Sequence, residues 1–218
     1  MKIIAIHRAL TPTLLEHAGR SAETGICKIP VRGPISVSQE GLDGDTQVDR
    51  INHGGLDKAL YVYTHENYRY WEATLNSAPL APGIFGENLT VTAMPDNEIH
   101  IGDRFRIGSI LAEVTQPRVP CFKLGLRMQD PGFVSTFLQS GRAGFYLRIL
   151  ETGVLNPGDP IRPEILDTHR VSISYAMRAL LKSPNQQEII RRVLSVDALS
   201  DAWRHDLEKR LQHAKETP

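Results

Sequence analysis

From the N-terminus to about residue 167, the apolar positions of the chain form short runs separated by glycine, proline and aspartate. Apolar runs of about four to eight residues with such boundaries are typical of β-strands. Gly-Asp pairs at 44–45, 102–103 and 158–159 mark turns between them. We therefore predict a mainly β structure, a barrel or a sandwich, with strands at residues 2–7, 26–31, 35–38, 59–63, 89–92, 104–107, 110–116 and 145–150.

Two helices are predicted inside this β region, because apolar residues there recur at helical spacing. They cover residues 65–75 and 130–139. Their apolar faces consist of Tyr68, Trp71 and Leu75 in the first, and of Phe133, Phe137 and Leu138 in the second.

After residue 167 the pattern changes to three helices, at 172–182, 185–195 and 200–215. Asn185 followed by Glu188 resembles a helix-capping signature. We place a domain boundary near residue 167, which gives a β domain at 1–167 and a three-helix segment at 168–218. A unit of about 50 residues is marginal alone, so we expect this segment to dock on the β domain or on a partner.

Composition narrows the classes of partner. The chain has 218 residues, with 25 Lys and Arg against 25 Asp and Glu. This balance argues against a general nucleic-acid-binding face but leaves room for a local basic pocket.

The N-terminus lacks the apolar run of a signal peptide, and no stretch approaches the roughly 20 apolar residues of a membrane span. Two cysteines give no disulfide framework, so we expect a cytoplasmic protein.

The stretch from Gln116 to Lys123 (QPRVPCFK) places one thiol, Cys121, among two prolines and two cations. A thiol acts as nucleophile or soft-metal ligand in its thiolate form, which nearby cations favour. The prolines restrict the backbone around it. The alternative is that Cys121 is a small apolar core residue, the usual role of a lone cysteine.

His53-Gly54-Gly55 is a second candidate. Consecutive glycines let the backbone approach a ligand and present amide groups to an anion, with His53 as a further donor. The alternative is a tight turn with a structural histidine.

Further candidates are polar residues in glycine- or proline-bounded stretches. Asn88 offers both a donor and an acceptor to a heterocycle; the alternative is that it caps the turn that contains it. Arg142, between two glycines, suits a phosphate, as do Lys28 and Arg32. The alternative for these cations is a solvated surface.

Several common site motifs are absent from the sequence: it has no CxxC pair, HExxH, Walker A loop or GxSxG elbow. What remains is one activated thiol, a His-Gly-Gly loop and several cations. This combination favours a soft metal or a sulfur atom beside an anionic cofactor.

Taken together, these motifs resemble the MOSC family, named for the C-terminal domain of molybdenum cofactor sulfurase. The resemblance covers most of residues 25–165, and the three-helix segment resembles the extension of the YiiM-like subgroup. The matching motifs, in the family's order, are GLDGD at 41–45, HGG at 53–55, FGENL at 85–89, GD at 102–103, QPRVPC at 116–121 and GRAG at 141–144.

The resemblance implies a β-barrel that binds the molybdenum cofactor, a pterin dithiolene with a terminal phosphate. It implies that Cys121 is the protein ligand to molybdenum and that Arg118 and His53 are its basic partners. Gly54 and Gly55, with Arg142 or Lys28, would hold the phosphate, and Asn88 would bind the cofactor's heterocycle.

The resemblance also implies reduction of N-hydroxylated compounds, such as N-hydroxylated purines and amidoximes, with electrons from a separate reductase. Two alternatives stay open: sulfur transfer through a Cys121 persulfide, and a non-catalytic cofactor-binding module. The oligomeric state, the exact substrate, the electron donor and any nucleotide on the cofactor are left open by the sequence.

Overall fold

The computed structural model describes residues 1–48 and 54–216, with side chains described up to residue 213. Six helices and two 3₁₀ turns surround the strands. The helices are α1 His65–Leu75, α2 Phe122–Met128, α3 Phe133–Ser140, α4 Ile173–Met177, α5 Gln186–Leu194 and α6 Asp201–Glu216, and the 3₁₀ turns are Leu56–Lys58 and Arg178–Leu180. The strands are β1 Lys2–Arg8, β2 Thr13–His17, β3 Arg20–Thr24, β4 Ile29–Pro30, β5 Ile35–Ser38, β6 Gly41–Leu42, β7 Leu60–Thr64, β8 Leu89–Thr92, β9 Arg104–Ile107, β10 Ile110–Pro117, β11 Phe145–Glu151, β12 Gly153–Leu155 and β13 Ile161–Ile165.

Eight of these strands form one sheet in the order β13-β9-β10-β11-β7-β8-β1-β4. Only the β7–β8 pair in it is parallel. Backbone bonds join β1 to the chain entering β13: Ile3 N donates to Asp159 O, Gly158 N to Ile3 O, and Ile161 N to Met1 O, each at 3.0 Å. These bonds close the sheet on itself, and the predicted barrel is confirmed.

The five residues of β7, Leu-Tyr-Val-Tyr-Thr, are all buried. Successive side chains of a strand point to opposite faces. Leu60 and Val62 belong to the apolar core of the barrel, whereas Tyr61 and Tyr63 belong to an aromatic cluster with Trp71 of α1 and residues of α3. The barrel wall at β7 is therefore covered on both sides.

The three-helix segment packs against the barrel and shares its core. Val171, Ile173 and Trp203 are at most 3% exposed and belong to the same apolar cluster as the barrel interior. Ile101 N donates to Val171 O at 3.0 Å, and Ile173 N donates to Ile99 O at 2.9 Å. Docking on the barrel is thus observed, while the boundary near residue 167 stays a prediction.

The predicted strand at 26–31 is largely wrong. Only Ile29–Pro30 pair with β1, because Lys28 N donates to Ile26 O in a turn at 3.0 Å. Because of this turn, Lys28 does not pair with β1, and it lines a pocket instead.

Other elements were missed or have different bounds. The hairpin β2–β3 is mostly half-buried or exposed, so it lacks a strong apolar signal. Helix α2, directly after Cys121, was not predicted. Helix α3 begins at Phe133 because Asp130 closes a turn before it, its Oδ1 accepting from Gly132 N at 2.8 Å. The predicted helix at 172–182 changes to a 3₁₀ turn after Met177.

The cap signature at Asn185 was wrong in its mechanism. Helix α5 does start there, but the Asn185 side chain makes no capping hydrogen bond. Its Oδ1 accepts instead from the Ser183 hydroxyl at 3.1 Å.

Candidate functional site

One pocket at the side of the barrel brings together most of the segments that the sequence singles out. It encloses about 660 Å³, including its open mouth. Its wall comes from the chain between β3 and β4, the chain after β6, the turn Leu56–Lys58, the 85–88 turn and the segment after β10. Tyr61 of β7 and Tyr146 of β11 complete it.

A buried ion pair forms one side of the pocket. Lys28 Nζ donates to both carboxylate oxygens of Asp45 at 2.7 Å, and their side chains are 8% and 4% exposed. Burial lowers the pKa of Lys28 below its ordinary value, and the Asp45 carboxylate offsets part of that shift. Ala9 N also donates to Asp45 Oδ1 at 2.7 Å, so the carboxylate ties three parts of the chain together.

Asn88 completes this network. Its Nδ2 donates to Asp45 Oδ2 at 2.7 Å and to His7 O at 3.3 Å, and its Oδ1 accepts from Tyr61 N at 3.0 Å. Both ends of the amide therefore have partners within the protein. Asn88 lies in the pocket wall, where these bonds fix Asp45 and the start of β7.

Arg118 is the most unusual cation of the pocket, because it is only 5% exposed and forms no salt bridge with a carboxylate of the described residues. Its guanidinium carbon lies 5.6 Å from the Tyr61 ring centroid and 5.3 Å from that of Phe137. Its Nη1 is buried without any hydrogen-bond partner among the described residues. Buried polar atoms in native proteins nearly always have a partner, so this atom points to a missing acceptor.

The surroundings of Arg118 keep it charged. Burial lowers the pKa of Arg118, but Tyr61, Tyr146, Cys121 and Tyr63 together raise it by more. The net result is a pKa above the ordinary value for arginine, so Arg118 is a permanent cation in the pocket wall.

Cys121 lies in the pocket wall immediately before α2 and is half-buried. It is close enough to act electrostatically on both Arg118 and Tyr146. Burial raises the pKa of Tyr146, which Arg118 partly opposes, so the phenol stays protonated at neutral pH. The other thiol, Cys27, is also half-buried but does not line this pocket.

The charge of the pocket wall is strongly one-sided. Its described lining contains four cations and one carboxylate: Lys28, Lys58, Arg118 and Lys123 against Asp45. The single carboxylate of this described lining is already paired with Lys28. An enclosed wall of one sign concentrates an oppositely charged ligand, so the pocket suits an anion that also contacts the Cys121 sulfur.

The structure thus brings together Lys28, Asn88, Arg118 and Cys121 of the predicted site. Gly55 caps the turn that carries Lys58, its carbonyl accepting from Lys58 N at 3.0 Å. Gly54 is buried beside it, and neither glycine lines the pocket. His53 lies outside the described residues.

Arg142 does not line the pocket. Its Nη1 donates to Asn67 Oδ1 at 3.0 Å, and its guanidinium carbon lies 4.3 Å from the Tyr70 ring centroid. Its assignment to the cofactor phosphate stays a prediction that the pocket wall does not support.

The glycine-rich loop around Arg142 has a clear structural role. Tyr61 Oη donates to Ala143 O at 2.8 Å, and Gly144 N donates to the buried Asp96 carboxylate at 2.6 Å. Gly144 O in turn accepts from Arg118 N at 3.1 Å. The loop therefore fixes the backbone of Arg118 from behind.

Several pocket residues were not in the predicted site. Asp45 is the last residue of the GLDGD motif, which is one of the motifs that match the MOSC family. The sequence could therefore have indicated it as a site residue. Lys58, Tyr61 and Tyr146 gave no comparable signal, since each sits in or beside a strand with an ordinary pattern. Their convergence depends on barrel closure.

Comparison with known proteins identifies the family. A model of the MOSC domain matches residues 49–162, and a model of the YiiM-like 3-alpha helix domain matches residues 171–214. The chain belongs to the MOSC domain family. In this MOSC protein, the 3-alpha helix match falls on the three-helix segment.

Related proteins match the MOSC protein over much of its length. It is 39% identical over 199 residues to YflK of Bacillus subtilis (strain 168), covering 91% of this chain and 90% of that protein. The crystal structure of YiiM from Geobacillus stearothermophilus matches with a TM-score of 0.78 at 30% identity, covering 96% of this chain and 98% of that one. A protein of Gibberella moniliformis (strain M3125 / FGSC 7600) named "Reductase" is 36% identical over 146 residues, which are 66% of this chain but only 26% of that protein.

Two features are absent from the part of the chain that the structure describes. No helix there has both the length and the apolar character needed to cross a bilayer. No group of three or more His, Cys, Asp or Glu side chains in residues 1–48 and 54–216 is arranged to hold a metal ion.

Proposed function

We propose that this MOSC protein is an oxidoreductase that binds the molybdenum cofactor in the Arg118–Cys121 pocket and reduces N-hydroxylated compounds. Family membership supports the cofactor class, and the "Reductase" relative supports redox chemistry. The proposal places the protein in the cytoplasm, in keeping with its two free cysteines.

The observation that carries this proposal is the buried, unpartnered Nη1 of Arg118 beside Cys121. A buried donor atom without an acceptor is costly unless a ligand supplies one. In this proposal the cofactor is an anion whose metal takes a soft thiolate ligand from the protein. The pocket offers both features within one wall, so its residues fit the group.

The chain's own residues take distinct roles in this proposal. The Cys121 sulfur is the protein ligand to molybdenum, and Arg118 donates to an anionic part of the cofactor. Lys58 and Lys123 lie in the same wall and add positive charge there. Lys28 is paired with Asp45. We therefore propose that Lys28 maintains the shape of the pocket and does not contact the cofactor directly. Tyr61 and Phe85 give the wall aromatic surface.

The proposed reaction takes an N-hydroxylated compound, two electrons and two protons to the amine and water. The N–O bond breaks, the oxygen leaves as water, and the nitrogen is reduced. When bound, the cofactor supplies the two-electron oxygen chemistry. The protonated phenol of Tyr146 faces the same space as Arg118 and Cys121, where it can donate a hydrogen bond to the departing oxygen. A separate reductase supplies the electrons.

The test is cofactor and activity analysis of protein made in a host that synthesises molybdenum cofactor. Wild type should contain near-stoichiometric molybdenum and pterin and reduce an N-hydroxylated purine with a chemical electron donor. Cys121→Ser should lose that activity, whereas Cys27→Ser, which changes a half-buried thiol outside the pocket wall, should keep it.

The alternatives give different results in the same experiment. Cyanide-releasable sulfur on Cys121 without molybdenum would replace the proposal with sulfur transfer. Bound cofactor without turnover with any donor would indicate a carrier module. Full activity in Cys121→Ser would remove the metal-ligand role of Cys121.

A further inference from the structure

The first turn of α6 contacts the strand that leads into the site. Ser200 Oγ donates to Gln116 Oε1 at 2.5 Å. Ser200 is fully buried, and Gln116 is 3% exposed. Gln116 lies near the end of β10, two residues before Arg118 and five before Cys121. A polar bond between buried side chains fixes the relative position of the two elements.

A second set of contacts joins the same helix start to the other side of the pocket. Asp201 N donates to Asp57 Oδ2 at 3.1 Å, and Asp57 lies next to Lys58 in the turn Leu56–Lys58. Asp57 O accepts from the Thr115 hydroxyl at 2.6 Å. Ser200 N donates to Thr115 O at 3.4 Å. These contacts tie α6, the end of β10 and the Lys58 turn to one another.

We propose that Ser200 is a positioning residue, which acts through Gln116 to hold the segment carrying Arg118 and Cys121 in place. The three-helix segment then has a role at the pocket besides covering the barrel core. This inference concerns the same pocket as the proposed function and rests on that pocket being the functional site.

The physical reason lies in the segment after β10. Prolines at 117 and 120 remove two backbone donors there. Arg118 keeps one backbone bond, to Gly144 O at 3.1 Å. A segment with so few ladder bonds needs side-chain anchors, and the Gln116 amide bonded to Ser200 is the buried anchor next to it.

The chain offers a matched control for this bond. Ser200 also caps α6, accepting from Trp203 N at 3.2 Å. Ser172 caps α4 in the same way, accepting from Tyr175 N at 3.2 Å. Both serines therefore lose one equivalent cap when changed to alanine, but only Ser200 loses a contact with β10.

The experiment is amide hydrogen exchange, followed by mass spectrometry, on the full chain without cofactor. We compare wild type, Ser200→Ala, Ser200→Thr and Ser172→Ala. In Ser200→Ala, exchange in residues 116–124 should rise by about tenfold, the equivalent of one net hydrogen bond. Ser172→Ala should leave exchange in residues 116–124 unchanged. Ser200→Thr, which keeps the hydroxyl, should show wild-type exchange there.

A second readout uses the cofactor-loaded protein. Ser200→Ala should retain less molybdenum after dialysis than Ser172→Ala, because the segment that holds the ligand is looser. A change confined to residues 201–216, or equal changes in both alanine variants, would overturn the positioning role. Because the exchange measurement needs no cofactor, it decides this inference even if the protein proves to contain no molybdenum.

Discussion

Lys28 and Asp45 form a buried ion pair in which Nζ donates to both carboxylate oxygens at 2.7 Å. The pair lies in the wall of the pocket that holds Arg118 and Cys121. It joins the turn after β3 to the end of the GLDGD motif, and Asn88 bonds to the same carboxylate. The pocket thus depends on a charge pair that is desolvated before any ligand binds.

The first prediction concerns this pair. Asp45→Asn leaves Lys28 buried without its counter-charge, so we expect a loss of about 3–5 kcal/mol in the free energy of unfolding. Chemical denaturation of the cofactor-free protein measures it. Asp43→Asn, two residues earlier and exposed, is the control and should change stability little. A loss below about 1 kcal/mol in Asp45→Asn would show that the pair does not anchor the pocket.

The second prediction separates binding from stability at Arg118. Arg118→Met keeps an unbranched apolar stem but removes the buried charge with its unpartnered Nη1. We expect the cofactor-free protein to lose little stability, because the lost contacts with the Tyr61 and Phe137 rings are offset by removal of a buried polar atom that lacks an acceptor. We expect bound molybdenum to fall at least about tenfold, as the loss of one charged hydrogen bond implies.

Thermal unfolding of the cofactor-free form and metal analysis of the loaded form give the two readings. Arg106→Met, which removes an arginine that pairs with Glu151 and Glu164, is the control and should leave metal content unchanged. Wild-type metal content in Arg118→Met would contradict the anion-binding role of Arg118.

The third prediction uses two glycines with the same backbone angle. Gly141 and Gly144 both have φ of 66°. A Cβ on Gly144 would lie 2.4 Å from Val62 O, whereas a Cβ on Gly141 would meet nothing within 4 Å. Gly141→Ala should therefore cost about 1 kcal/mol for the left-handed backbone alone. Gly144→Ala should cost about 1–3 kcal/mol more, because of overlap.

Denaturation curves of the two variants test this difference directly. Gly144→Ala should also weaken cofactor retention, because Gly144 O holds Arg118 N. Equal stability losses in the two variants would show that the loop moves to make room and that it does not fix Arg118.

The fourth prediction concerns pH. His7 is 3% exposed, and burial lowers its pKa below the ordinary value of 6.5. The unfolded chain therefore binds this proton at a higher pH than the folded chain does. Stability should fall as the pH drops below about 6.5 and continue to fall until the lowered folded pKa is reached.

Urea unfolding between pH 5 and pH 8, within the range where histidine titrates, measures this effect. His7→Phe should flatten the acid side of the stability curve, each unit of pKa difference being worth about 1.4 kcal/mol. His205→Gln, at an exposed position of α6, should keep the wild-type slope. An unchanged slope in His7→Phe would assign the acid sensitivity to other groups.

Cys121 and Lys28 differ in how far the sequence predicted their surroundings. The cation- and proline-rich stretch around Cys121 was compatible with a reactive thiol or with a buried core residue, and the structure places this half-buried thiol in the wall of a basic pocket. Lys28 was recognised as a cation but placed on a strand at 26–31, which forms only at Ile29–Pro30. Its side chain enters the pocket because of a local turn, which apolar periodicity does not encode.

Arg142 shows the opposite case. Its position between glycines indicated a phosphate ligand, but its guanidinium bonds to Asn67 and lies over Tyr70. A sequence gives the charge and the backbone freedom of such a residue, but not which neighbour the fold supplies. Asn67 and Tyr70 both belong to α1. Asn67 lies 75 positions from Arg142 along the chain.

The sequence by itself determined the β character, the three helical stretches at the C-terminus and the ordered motifs of the MOSC family, because these depend on local periodicity and short spacings. Only the tertiary structure decided which motif residues share a pocket, which cations are already paired, and that α6 contacts β10 through Ser200 and Gln116. Closure of the barrel and burial of the helices on it bring distant segments within hydrogen-bonding distance, and burial then determines the energetic value of each charge.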